Sequence, residues 1–340
     1  MTNAVIQDAA ALAAATGPAL RGRDPGPALA RLDAARETLE AALAETLTRN
    51  CPAEGVAIAA EIWPWWLSRG RLADGAAWLK RLLDAPGAQA PTADRARALA
   101  GAGNLAFHRG DADASERVLR ECLAIGEALG AAQIVAEARG GLSRVAMSRN
   151  DAAGMREHSA VALEAARASG YETGEAIALH HLAHAAVMDG DLPEAERRYA
   201  ANIAVYRGMG RRELVVSELH NLGHVACLRG DIARARALFV ESLETAGNSG
   251  DAITPYNIIG LGRVAAALGR PAEALTLLAA GTAILRGQGK AVVPLLRPAV
   301  EAALTGTRAT LDAETRAAAD AAGEALGIEE AIAAAIAVRV

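Results

Sequence analysis

Aromatic side chains make up only 3% of the 340 residues. That scarcity argues against a β-sandwich or barrel, whose strands need bulky and β-branched runs, and suits closely approaching helices rich in small side chains. Cysteine is as sparse. Cys51, Cys122 and Cys227 stand far apart with no CxxC pair, which excludes a disulfide framework and is the pattern of reduced thiols in a cytoplasmic protein. No long apolar run exists either; the alanine-rich stretch from Ala9 to Ala15 is too short and too weakly apolar for a signal peptide or a membrane span. Charge of one sign is also missing. The 35 basic and 40 acidic residues are interspersed, whereas a nucleic-acid module would concentrate Lys and Arg on one face. Neither nucleic acid nor a membrane is an expected partner.

What the chain does have is a period. Gly70-Arg71, Gly110-Asp111, Asn150-Asp151, Gly190-Asp191, Gly230-Asp231 and Gly269-Arg270 recur at intervals of 40, 40, 40, 40 and 39 residues. A constant interval of this size means stacked copies of one small unit, none able to bury its apolar face alone. Between signals the apolar residues have helical spacing. Ser217 to Leu228 carries one stripe, and Ala235, Leu238, Phe239 and Leu243 mark a second. The glycine ends the first helix, and the aspartate caps the second by accepting its free N–H groups. The array is therefore predicted to be antiparallel helical hairpins.

The unit resembles a tetratricopeptide repeat in a form of about 40 residues. Its small position in the second helix is met by Gly75, Ser115, Ala195, Ala235 and Ala274, and the larger apolar position four residues on by Leu79, Leu119, Tyr199, Phe239 and Leu278. Leu142, Leu182, Leu222 and Leu261 fill the core leucine of the first helix, while the copy at Asn150 is degenerate, with Met155 and Ser159. The segments Arg31 to Leu43, Trp65 to Leu82 and Leu326 to Ala333 are similar to the C-terminal sensor arrays of bacterial signal-transduction ATPases and LuxR-type activators. Those regulators carry an NTPase module and often a DNA-binding helix-turn-helix. This chain has no GxxxxGK[ST] loop and no C-terminal helix-turn-helix, so neither activity carries over. The resemblance implies an all-α, right-handed superhelical solenoid of six to eight hairpins. It divides into an N-terminal segment (1–27), repeats (28–290) and capping helices (291–340).

Several motifs have a plain packing explanation. Gly260-Leu-Gly-Arg-Val-Ala265 matches the dinucleotide fingerprint in letters but sits inside a first helix, not between a strand and a helix. Trp63, Trp65, Trp66 and Trp78 are expected to pack between the first repeats, with an aromatic ligand cage as the lesser alternative.

The histidines stand apart. His180 and His184 recur as His220 and His224, 40 residues later, and each pair is i, i+4 on one helix face. By the resemblance, that face lines the concave groove. The later position reads Asn104, Arg144, His184, His224 and Arg263 through successive copies, all N–H donors, with His108 one turn further on. Such a stripe is expected outside the core, since each member would otherwise need a buried partner. Three uses are open: local structural hydrogen bonds; recognition of carboxylate, phosphate or peptide oxygen; or metal and acid/base chemistry. No carboxylate occupies the groove positions of the two histidine helices and no activated nucleophile stands beside them, which weakens the last. The sequence thus points to a non-catalytic protein that holds a peptide, protein segment or small polar molecule and needs no cofactor; an alanine-rich terminal repeat could pair with a second copy of the chain. The rival is an enzyme using the groove histidines. Binding is expected to strengthen below about pH 6.5 if the imidazoles take up charge.

Overall fold

The computed structural model describes residues 2–22, 24–247, 252–288, 290–293 and 296–339. Among them the only regular elements are helices, and the chain forms two compact units, 1–185 and 186–340. The first holds α1 (Thr2–Leu20), α2 (Gly26–Ala34), α3 (Arg36–Thr48), α4 (Pro52–Ser68), α5 (Leu72–Asp84), α6 (Ala93–His108), α7 (Ala112–Ala128), α8 (Ala132–Ser148), α9 (Ala152–Ser169) and most of α10 (Glu172–Asp189). The second holds the end of α10, then α11 (Leu192–Gly208), α12 (Arg212–Leu228), α13 (Ile232–Ala246), α14 (Thr254–Ala267), α15 (Pro271–Gly287), α16 (Arg297–Ala309), α17 (Ala313–Ala325) and α18 (Ile328–Ala337).

Every recurring turn signal closes a helix in the same way. Residues 70, 110, 150, 190, 230 and 269 all have positive φ, between 59° and 85°. The next residue's N–H reaches back five positions, as in Asp111 N to Ala106 O (3.0 Å) and Asp231 N to Ala226 O (3.0 Å). This is the Schellman closure, and glycine adopts it without steric cost. Asp111, Asp151, Asp191 and Asp231 then accept from the N–H three residues on, at 2.9–3.2 Å. Arg71 and Arg270, which replace the aspartate, make no side-chain cap.

A single packing device recurs between copies. The large residue of a second helix enters a slot between glycines of the first helices on either side of it in sequence. A Cβ on Gly103 or Gly141 would come within 2.6 and 2.8 Å of Leu119, and one on Gly223 or Gly260 within 2.7 and 2.6 Å of Phe239. Gly260 is therefore required by the Phe239 ring, which explains the fingerprint-like letters without a nucleotide. The degenerate copy changes this device rather than losing it. Ser159 takes the large residue's place and pairs with buried Ser143, oxygen to oxygen at 2.6 Å.

At the N-terminal end, α1 packs against α2, α3 and α4 and buries Ile6, Ala9 and Ala13. Just past its end, the Arg21 guanidinium donates to Gly17 O (2.9 Å), Ala60 O (2.8 Å) and Glu61 Oε2 (2.8 Å). Its carbonyl accepts from Thr173 Oγ1 (3.3 Å), which lies just inside α10. At the other end of the chain, α16, α17 and α18 lie against α14 and α15.

Candidate functional site

The first unit contains a cleft of about 410 Å³ lined by the inner helices α4, α6, α8 and α10 and by the end of α1. Three of the groove residues read from the repeat spacing meet there: Asn104, His108 and Arg144. Asn104 and Arg144, 40 residues apart, touch: Arg144 Nη1 donates to Asn104 Oδ1 at 2.5 Å. The guanidinium also lies 5.7 Å from the centre of the Phe107 ring. No carboxylate among the described residues pairs with it, and burial pulls its pKa down. An arginine drawn out of water without a counter-ion is a standing site for an anion. His108 is exposed at the rim, its pKa lowered by desolvation and then by Arg144.

The cleft wall holds two residues that sequence reasoning passed over, one on the same face of α8 and one just before α10. Glu137 lies seven positions before Arg144; its Oε1 accepts from Gln133 Nε2 (3.0 Å), while Oε2 is buried without a partner. Burial raises its pKa, against the opposing pull of the Gln133 hydrogen bond and of Arg21 and Arg97. Tyr171 completes the wall, its phenol shifted upward by burial and then by Glu137. The signal for Glu137 was present: seven residues before each stripe member stand Arg97, Glu137, Ile177, Ser217 and Tyr256. It went unread because those residue types do not match one another.

Gly140 forms the floor between them. A Cβ there would meet only Ile177 Cγ2, at 3.6 Å, an ordinary contact. Gly140→Ala is therefore expected to raise stability by ~0.5–1 kcal/mol, the helix preference of alanine over glycine. Chemical denaturation would measure it, and a loss of stability would show that the floor is not open.

The histidines divide between the units, and each pair has its own surroundings. In the first unit, the His180 ring centre is 5.6 Å from His181 and 6.1 Å from His184. Burial holds His184 down to about 4, helped by His180. His181 is pushed well below its ordinary value by burial, with His180, Arg144 and His184 adding to the shift. In the second unit, His220 and His224 are 5% and 4% exposed. The expectation that the stripe lies outside the core fails for His224, and His220, one turn before it, is buried as well; each has found a partner inside the unit. His220 Nδ1 is 3.0 Å from Asn257 Oδ1, Asn257 Nδ2 donates to Ser242 Oγ (2.8 Å), and Ser242 donates to Val216 O (2.8 Å). Arg263 Nη1 donates to His224 Nδ1 at 2.9 Å. Burial holds His220 down to about 4, with Asn257 opposing and Arg263 adding. Burial keeps the imidazoles of His184 and His220 neutral near pH 6.5, so the condition for tighter binding below that pH is not met by these two.

No three His, Cys, Asp or Glu side chains among the described residues come together as a metal site. No helix among them is long and apolar enough to cross a membrane. Trp65 and Trp66 are core residues, and Trp63 lines the cleft.

No family model and no curated protein matches the chain. Solved structures do. One is a signal-transduction ATPase with numerous domains and a tetratricopeptide-repeat sensor from Pyrococcus horikoshii, at 13% identity and a TM-score of 0.56, covering 83% of this chain and 42% of that one. A Rap protein complexed with Competence and Sporulation Factor aligns at 13% identity and a TM-score of 0.55, covering 84% and 81%. The anaphase-promoting-complex tetramer Cut9–Hcn1 aligns at 13% identity and a TM-score of 0.57, covering 83% and 49%. By its fold, the chain is an all-α, tetratricopeptide-like helical-repeat protein.

Proposed function

We propose that this chain is a non-catalytic binding protein that captures a peptide, protein segment or small polar molecule in the cleft of its first unit, for regulation or sequestration. The observation that carries the reading is Arg144: a cation in a cleft with an amide and a ring beside it but no carboxylate. The apolar walls of Leu20, Pro64, Leu67 and Ile177 supply contact area, while the guanidinium supplies orientation. The Rap neighbour was solved with a factor bound, and the proposal extends that use of the fold to this chain.

The test is a melting-temperature screen of short peptides and small carboxylates, followed by titration of each hit against Arg144→Gln. Loss of the charge-assisted contact should weaken binding by roughly 1.5–3 kcal/mol, one to two decades in affinity. The ligand-free variant should keep its fold, since Arg144 lines the cleft and is not a member of the apolar core. Hits that bind Arg144→Gln as tightly as the parent would move the site elsewhere.

A further inference from the structure

Two charged side chains that line the cleft sit on one helix face at a fixed separation. Glu137 and Arg144 are seven residues apart on α8, which places their Cα atoms about 10 Å apart on the same side. The charges around each differ in sign. At the Glu137 end, Arg21 bonds Glu61 at 2.8 Å, and Arg97 reaches Glu61 at 3.8 Å and Asp94 at 3.3 Å. Counting Glu137, three carboxylates thus stand with two guanidinium groups at that end. At the other end stands Arg144, with no carboxylate. The floor between them is Gly140. Its neighbours have packing reasons to be glycine: a Cβ on Gly101 would come within 2.5 Å of Trp63, and one on Gly141 within 2.8 Å of Leu119. Gly140 alone of these three has no such reason, so its helix-weakening lack of a side chain keeps the cleft deep midway between the two polar ends.

We propose that the cleft takes a linear bipolar ligand, with an ammonium at Glu137 and a carboxylate at Arg144 about 10 Å apart and its middle over Gly140, the span of a tripeptide with free termini. This rests on the binding reading above and adds the ligand class. An ammonium at Glu137 would satisfy the orphaned Oε2 after a rotation of the carboxylate. Trp63 Nε1, buried without a partner and lining the same cleft, is a donor within the same walls for a backbone carbonyl. Bound ammonium would also favour the ionised carboxylate that burial disfavours.

Trialanine, N-acetyl-trialanine, dialanine and pentaalanine, titrated into the full chain and followed by NMR shifts, test this directly. Free trialanine should bind about tenfold more tightly than its acetylated form, and Glu137→Gln should erase that advantage. Dialanine and pentaalanine should both bind less well than trialanine, and Gly140→Leu, which fills the floor, should abolish binding. Circular dichroism of each variant confirms the fold. If Arg144→Gln weakens binding but acetylation and Glu137→Gln do not, the bipolar class is overturned while the anion site stands. If Arg144→Gln changes nothing, the binding reading fails as well. Trialanine that does not bind, or that binds Gly140→Leu unchanged, overturns the ligand class.

Discussion

Lowering the pH from about 7 to 4.5 is expected to cost this protein a large part of its stability through its buried histidines. The sign follows from the buried imidazoles. His184 and His220 are held down to about 4, whereas an unfolded chain's histidines titrate near 6.5. Between those values the unfolded state binds more protons, so the stabilisation is complete above about pH 6.5 and drains away as pH falls toward 4. At about 1.4 kcal/mol per unit, each histidine accounts for roughly 3 kcal/mol, against a typical total of 5–15. His181, pushed down by burial in the same direction, adds to this. The carboxylates with lowered pKa, Asp33, Glu116 and Asp312, are solvent-screened and act only below this window. Guanidinium unfolding at a series of pH values would show the slope, and His220→Gln should flatten it. A denaturation midpoint that stays constant between about pH 7 and 4.5 would mean that these rings are not buried and neutral.

Phe239→Ala should destabilise the second unit by ~3–5 kcal/mol, the upper range for a core truncation. Cost depends on how far the surroundings can collapse, and here they cannot. The ring is fully buried and flanked by Gly223 and Gly260, which have no side chains to move into the space. His220, whose ring centre lies 5.6 Å from that of Phe239, is tied to Asn257 and cannot swing in to fill it. Thermal unfolding of Phe239→Ala beside Phe239→Leu measures the effect. A change under about 1 kcal/mol for the alanine variant would show that the slot closes on itself.

The fold was legible because its signals repeat. Glycines and aspartates at a constant interval read as turns and caps, and the structure places positive φ and cap hydrogen bonds at those positions. A second series went unread: Gly130, Gly170 and Gly210, 40 residues apart and half a period out of step, close the second helices with positive φ as well. No aspartate follows them, so only the glycine itself marked the turn. The site was less legible. Spacing correctly put Asn104 beside Arg144 and His224 beside Arg263. It gave no account of burial, which decides that His220 and His224 are internal partners while Arg144 lines a cleft. Nor could it see Gly140 as different from Gly141, because that difference lies in what a side chain would strike.

The hydrogen bond from Thr173 to the Arg21 carbonyl spans 152 positions of sequence. An open array gains its energy from nearest neighbours, and its end copies can fray independently. A tie from the start of the chain to the beginning of α10 removes that freedom from the first unit. Its closure must wait until the intervening helices are in place, which raises contact order and slows folding. Once closed, opening any hairpin between those two points strains the tie, so amide hydrogens from α2 to α9 should exchange together as one block rather than in sequence from an end.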